Sequence, residues 1–388
     1  MFYVGIDIAK QKHSAAVINN SGEILLDRFT FDNTKNGFRS LTKTLSSVGA
    51  RPARCTVCLE STGHYGANLK AYLLEHHYKV YEVNPILTDN WRKSSSMRSA
   101  KTDAIDSLAL ATWIKSSKPV RPVSERNPYA DLRTLSRTRS SLIATSTLLR
   151  NKVLAILDIV FPEHGRFFNK PFSKTFVAVL CLWPSAEKIA HARIDTLAKL
   201  MASTSKSHYK KQDCQRLKAL AKDSVGQASD MLEFQLRMFL DHFKYVRSQI
   251  SQIEARLEDL MDDSPILTVP GIGFINGAGI LGELGDINRF ANASKVIAYA
   301  GCDPTVYASG QTENAKAHMS CRGSVHLRRH LWYAAGVARL FDPALKACYQ
   351  RKRAQGKPYQ VAMTCVVHKL CRIIYAVLRD NKPYECRV

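Results

Sequence analysis

An α/β domain followed by a longer, mostly helical remainder is the fold class this 388-residue sequence predicts. Three observations predict it. In the first hundred or so residues, short apolar runs rich in β-branched and aromatic side chains alternate with amphipathic segments. Further on, apolar residues recur at steps of three, four or seven, the spacing of helix faces. The chain is also too long for one ordinary core, so several domains are expected, and we draw them as 1–125, 126–263 and 264–388.

The elements follow in order. Residues 2–8, 13–18 and 23–29 read as three strands, with Asn19-Asn20-Ser21-Gly22 as a hairpin turn. A helix over 36–48, a strand over 54–60, a helix over 65–75, a strand over 79–83 and a helix over 102–115 complete the first domain. A three-strand meander followed by alternating helices and strands is the order of a ribonuclease-H-like fold.

Pro119, Pro122 and Pro128 then mark a linker. A helix is expected over 132–161, with Leu135, Leu142, Leu149 and Ile156 seven apart, and then a basic, aromatic, helical stretch over 167–212. Leu232, Leu236, Phe239, Phe243, Val246, Ile250, Ile253, Leu257 and Leu260 alternate steps of four and three, the seam of a coiled coil. Its partner could lie in the same chain or in another one, giving a dimer or tetramer. In the last domain, Pro270-Gly271-Ile272-Gly273 before a helix over 275–284 looks like a helix-hairpin-helix turn, whose Gly271 and Gly273 would bring backbone N–H groups to a phosphate. Residues 298–305 read as irregular, Tyr307-Ala308-Ser309-Gly310 as a loop, and 325–340 and 359–379 as long basic helices.

The formal net charge is +23, which argues for a polyanionic partner rather than for any fold. The excess is uneven. Residues 314–388 hold 15 Lys and Arg against 3 Asp and Glu, whereas the first 110 hold 14 against 10. Nucleic acid is the partner this implies. No stretch reads as a membrane span or a secretory signal, and ten cysteines scattered along the chain suit a reducing cytoplasm. Cys55 and Cys58 form a C-x-x-C inside an apolar strand, where buried thiols are favoured over a zinc site.

Three acidic motifs carry the chemistry. Asp7 sits in the strand Gly5-Ile6-Asp7-Ile8-Ala9-Lys10, Glu60 ends an apolar strand in Leu59-Glu60-Ser61-Thr62-Gly63, and Asp103 and Asp106 share a helix face in Lys101-Thr102-Asp103-Ala104-Ile105-Asp106. A carboxylate in an apolar strand is costly unless it is paired or bound to metal. Oxygen ligands drawn from different elements suit Mg²⁺, and two such ions serve phosphoryl transfer.

With these motifs the sequence resembles the DEDD insertion-sequence transposases of the IS110 family and the related pilin-gene DNA invertases. Pro270-Gly271-Ile272-Gly273, the Gly301–Pro304 stretch and the Ser309-Gly310 loop resemble that family's C-terminal transposase domain. The resemblance implies a RuvC-like nuclease domain with Mg²⁺ on Asp7, Glu60, Asp103 and Asp106, a coiled-coil middle, and a C-terminal serine nucleophile. It also implies a composite site across subunits, donor and target DNA, and a structured noncoding guide RNA. Ser309 matches the family's Ser-Gly motif. Ser320, in Ser320-Cys321-Arg322-Gly323, is the alternative nucleophile, in a motif that usually has lysine where Cys321 stands. A serine hydroxyl needs its proton removed and the phosphate charge neutralised; Lys316, Arg322 and Arg328 are near enough in sequence to do the latter. A site-specific invertase, a Holliday-junction resolvase and a non-catalytic nucleic-acid-binding scaffold are the competing readings.

Overall fold

Strand β1 (Phe2–Asp7) is the centre of the N-terminal sheet. It pairs antiparallel with β2 (Lys12–Asn19), which pairs antiparallel with β3 (Ile24–Asp32). On its other side it pairs parallel with β4 (Cys55–Glu60), which pairs parallel with β5 (Lys79–Val83). The order is β3-β2-β1-β4-β5. The computed structural model describes residues 1–60, 64–83, 88, 103–117, 129–205, 208–261, 263–305, 308–309, 312–313 and 318–386, with backbone alone at 103–105, 308–309 and 312–313. The proline linker, Lys316, Tyr307 and Gly310 lie outside the described residues.

Parallel neighbours require crossovers, and two helices supply them. Helix α1 (Lys35–Ser47) starts at Thr34, whose hydroxyl accepts from the Gly37 amide at 3.1 Å, and buries Phe38, Leu41 and Leu45. Helix α2 (Ala67–Glu75) buries Leu69, Leu73 and Leu74. Both pack on the sheet face that carries Val4, Ile6, Val57 and Leu59. Helix α3 (Asp103–Ser116) covers the opposite face, packing Leu110 and Ile114 on Tyr3 and Cys58. Cys55 and Cys58 accordingly point to opposite faces, since strand side chains alternate, and cannot share an ion. Burial pushes both thiols up to about 12.

Met1–Asn127 and Pro128–Val388 are two compact units. In the second, helix α4 (Ala130–Val160) is followed by the short α5 (His164–Phe167), α6 (Lys174–Leu182), α7 (Ala186–His191), α8 (Ile194–Ser205) and α9 (Lys211–Lys222). Helix α10 (Asp230–Leu260) then runs antiparallel to α4, with Arg139 paired to Glu254 at 2.6 Å and Lys152 lying over the Phe239 ring. The partner of the α10 seam is thus a helix of the same chain. Leu236, Phe243, Val246, Ile250 and Leu257 are buried, but Leu240 is buried outside the four-three pattern and Leu260 at its end is exposed. The short helices give α10 a broader partner than a single helix, which moves the buried stripe.

One hydrophobic cluster joins α5–α9 to the facing halves of α4 and α10. A second joins the other ends of those helices to the C-terminal elements. These are α11 (Phe274–Leu284), α12 (Ala293–Tyr299), the two-residue strands β6 (Ala308–Ser309) and β7 (Thr312–Glu313), α13 (Val325–Phe341), α14 (Pro343–Ala354) and α15 (Tyr359–Asp380). Helix α15 is long and apolar enough to cross a membrane by length and composition, contrary to the expectation of no such stretch. Its Met363, Val366, Val367, Leu370 and Ile374 are buried in the second cluster, as befits a core helix.

Because the α10 seam is closed within the chain, Ile250→Ala should lower unfolding stability by about 3 kcal/mol and leave the mass in solution unchanged. Thermal unfolding beside light scattering checks both.

Candidate nucleic-acid-processing site

Two carboxylates emerge side by side from the sheet. Ile6 lies opposite Leu59 in the parallel β1–β4 pair, so Asp7 and Glu60 leave their strands at the same level. Alternation turns both toward the face covered by α3, because Ile6 and Leu59 are committed to the other face. Both are half-buried. The Thr88 hydroxyl donates to Glu60 Oε1 at 3.1 Å.

Gly5 sets how close α3 can come. A Cβ there would sit 2.0 Å from the Ser107 carbonyl oxygen and 2.4 Å from the Ala111 nitrogen. The helix backbone therefore rests directly on the strand. Its direction follows from Gly22, in the hairpin beside the start of β1, which lies against Lys115 Nζ. The C-terminal end of α3 is thus at the Phe2 end of β1, and its first turn, carrying Asp103 and Asp106, is at the Asp7 end. Asp106, Leu110 and Ile114 are spaced along one stripe, so Asp106 sits on the sheet-facing side. Among the described residues no group of three His, Cys, Asp or Glu is close enough to hold a metal ion; the Asp103 side chain is not among them. The donors at this end of the sheet are carboxylate oxygens, a set that suits a hard divalent cation.

Buried His13 stabilises the loop after Asp7, its Nδ1 accepting from the Ala9 amide at 3.3 Å. Burial lowers its pKa, against a hydrogen bond with Asn33. Neither His13 nor Thr88 stood out in the sequence.

In the C-terminal unit, residues 301–305 and 318–321 run antiparallel and clasp the base of the loop that carries Ser309. The Thr305 amide donates to the His318 carbonyl at 2.7 Å, the Ser320 amide to the Asp303 carbonyl at 2.8 Å, and the Cys321 amide to the Gly301 carbonyl at 3.1 Å. The Ser320 hydroxyl donates to Asp303 Oδ1 at 2.5 Å. Within the loop, Ser309 pairs with Thr312 across β6 and β7. Arg328 donates to the Ala300 carbonyl at 2.9 Å, and Arg322 is exposed on the clasp. Gly323 is needed where it is: a Cβ would lie 2.1 Å from the Tyr299 carbonyl oxygen.

Gly271 and Gly273 differ. Gly271 has φ +84, and a Cβ would lie 2.4 Å from the Ala338 nitrogen, so packing against α13 accounts for it. Gly273 is exposed at the N-terminus of α11 with open space around it, and it is the one of the pair that a phosphate could approach.

Glu283 joins α11 to two other elements. It takes a two-pronged contact from Arg137 of α4 at 2.6 and 3.0 Å, and accepts 2.8 Å from Ser324, the N-cap of α13. Burial works to raise its pKa, but hydrogen bonds from Arg137 and Ser324 and the charge of Arg133 outweigh it and hold the carboxyl below its ordinary value. Buried His330 lies between Ser136 and Asn276, each at 3.2 Å, and burial lowers its pKa to about 4.

Carboxylates at sheet ends and a basic helical unit are what an enzyme that cuts and rejoins nucleic acid needs. Comparison with known proteins names the class as transposase. A DEDD family model described as "Transposase" matches residues 4–162, and a second, "Transposase IS116/IS110/IS902 family", matches 263–350. The chain is 24% identical to the "Pilin gene-inverting protein" of Moraxella bovis over 397 residues, spanning 100% of this chain and 98% of that one. It is 24% identical to the "Insertion element IS110 uncharacterized 43.6 kDa protein" of Streptomyces coelicolor over 394 residues (100% and 96%), and 22% identical to the "Transposase for insertion sequence element IS1111A" of Coxiella burnetii over 394 residues (99% and 91%). The chain belongs to the IS110 family of transposases.

Gly5→Ala should push α3 off β1, costing about 3 kcal/mol or more, and should abolish DNA cleavage before it abolishes DNA binding; unfolding curves beside cleavage and binding assays test this. A second expectation concerns pH. The folded value of His330 lies below its ordinary one, so the folded state binds fewer protons than the unfolded state between about pH 4 and 6.5. Its contribution is therefore fully present above pH 6.5 and lost as pH falls toward 4, by up to about 3 kcal/mol. Stability against pH for wild type and His330→Gln should diverge in that window, the variant being the flatter.

Proposed function

We propose that the chain is a transposase that moves its own insertion sequence by RNA-guided, metal-assisted serine attack on DNA, with a ribonuclease-H-like, RuvC-like first domain. The observation that carries the catalytic part is the emergence of Asp7 and Glu60 on one face at one level, under the helix end that bears Asp103 and Asp106. In this reading those four carboxylates hold Mg²⁺, which supplies charge neutralisation at the phosphate when bound. The guide RNA, the domain limits near 125 and 263, a coiled-coil middle and a composite site across a dimer or tetramer rest on the family resemblance. The basic surface supports nucleic acid as the partner.

Ser309 is the proposed nucleophile. Its oxygen forms a bond to the DNA phosphorus as the bond from phosphorus to the deoxyribose oxygen breaks, and the proton the serine loses is balanced by the one the departing oxygen gains. The phosphodiester energy is kept in the serine–DNA link, so the strand can be resealed to a new end. Ser320 is the alternative: its hydroxyl donates to Asp303, a carboxylate placed to take its proton, and the preference for Ser309 rests on the family's Ser-Gly motif. Arg322, Arg328 and Lys316 would neutralise phosphate charge, and the Gly273 helix end would grip a second phosphate. Whole-length similarity to a protein named for pilin-gene inversion supports site-specific inversion as a second reading. A substrate with inverted sites, set against one carrying the element's own ends, separates the two.

Asp7→Ala and Ser309→Ala should each lose strand exchange and keep nucleic-acid binding, because affinity comes largely from phosphate contacts. Ser309→Ala should also lose a denaturation-resistant protein–DNA adduct that maps, in the wild type, to the peptide containing Ser309. Strand exchange by Asp7→Ala, or an adduct that survives in Ser309→Ala, would refute the corresponding role.

A further inference from the structure

Helices α14 and α15 form an antiparallel pair that encloses a groove of about 870 Å³. Arg351 and Lys352 line one wall; Lys369, Arg372 and Arg379 line the other, with Lys382 at the end. Only Asp380 and Glu385 among the lining residues are acidic, and Asp380 is taken by Arg379 at 2.7 Å. Lys369 Nζ reaches across to the Ala344 carbonyl at 3.2 Å and ties the walls together. Arg351, Lys352, Arg372 and Lys382 form no ion pair among the described residues.

We infer that this groove is a binding track for a nucleic-acid phosphate backbone, built from residues other than the carboxylates and the serine loop. The inference rests on the proposed function for the identity of the polyanion, and adds where the chain is held. Four cations crowded into one groove repel one another unless an anion occupies it. They do not converge on one point, as they would around a single phosphate. Arg372 lies roughly 12 Å along the axis before the C-terminal end of α15, Lys382 lies beyond that end, and Arg351 and Lys352 face them from the other wall. A ligand that meets all of them is extended and repeatedly charged. Between the cations the lining is Cys348, Ile373, Ala376, Val377 and Pro383, and the Tyr384 hydroxyl is spent on Asp342. That leaves little to read bases with, so the grip is on the backbone and independent of sequence. The groove is also tied to the reactive end of the unit. Lining residue His368 hydrogen-bonds the Cys302 carbonyl at 2.7 Å, next to Asp303 at the clasp of the Ser309 loop. A strand lying in the groove is thereby led toward that loop.

The test uses the full-length chain with Arg351→Glu, Lys352→Glu and Arg372→Glu combined, all exposed or half-exposed positions. A control carries Lys174→Glu, Lys199→Glu and Lys222→Glu, an equal charge change on exposed sites far along the chain. Binding of duplex DNA, single-stranded DNA and single-stranded RNA is measured against salt. The groove variant should bind at least one of them about tenfold or more weakly, with a salt slope lower by two to three, while the control changes little. Which nucleic acid is lost identifies the occupant. Equal losses in both variants, or no loss in the groove variant, would overturn the inference while leaving the proposed function standing. So would a loss confined to polyglutamate, measured alongside as an acidic-protein probe, which would mark an acidic-protein site. A wild type that binds no nucleic acid would remove both. Should the triple variant fail to fold, the same positions changed to Gln carry the test.

Discussion

Helix α3 can rest its backbone on β1 only because position 5 has no side chain. That contact sets the depth of the helix on the sheet, and its direction puts the acidic first turn over the strand ends where Asp7 and Glu60 emerge. Sheet topology does the rest. Only a parallel β1–β4 pair delivers two carboxylates at one level, and an antiparallel pair would send them to opposite ends of the sheet. The cost of half-burying acids here is offset by local donors such as Thr88 and by the positive end of the α3 dipole.

The second unit is organised by a different kind of contact. Glu283 is buried, and three elements meet on its carboxylate: α4 through Arg137, α13 through its cap Ser324, and its own helix α11. Gly282 beside it lets α11 close on α4, since a Cβ would lie 2.5 Å from the Arg133 nitrogen. The clasp that carries the Ser309 loop begins just beyond α12 and ends just before Ser324, so the ion pair and the loop base share one structural anchor. Removing Arg137 would leave the Glu283 carboxylate in the interior with only Arg133 and Ser324 to meet it, which costs more than the pair itself contributes.

Much of the N-terminal unit was legible because its signals are local. Strands β1 to β5 and helices α1 to α3 start and stop within a few residues of the expected limits, from alternating apolar residues and the Asn19–Gly22 turn. Asp7 and Glu60 were legible as acids ending apolar strands. Helices α9 and α14 were not, although Asp342-Pro343 is a start signal for α14 that the charge-rich sequence after it obscured. The α10 segment reads as the seam of a coiled coil; most of its seam residues are buried, but Leu240 and Leu260 depart from the pattern, and its partner depends on contacts a hundred residues away. Thr88, His13 and Asp303 were illegible for the same reason: their roles come from a neighbour that only the fold supplies. Glu283 left one trace, as a lone charge in the apolar run from Phe274 to Leu284.

The antiparallel pair of α4 and α10 also behaves as a strut. Each helix has 31 residues, roughly 45 Å of rod at the helical rise, and its two ends are embedded in different hydrophobic clusters. Length and phase are then coupled. Inserting seven residues into each rod would separate the clusters by about 10 Å with the buried stripe nearly in phase, whereas inserting one would swing everything beyond it by about 100°. The span between the two cores is therefore free to vary among related chains only in steps, and in both helices together.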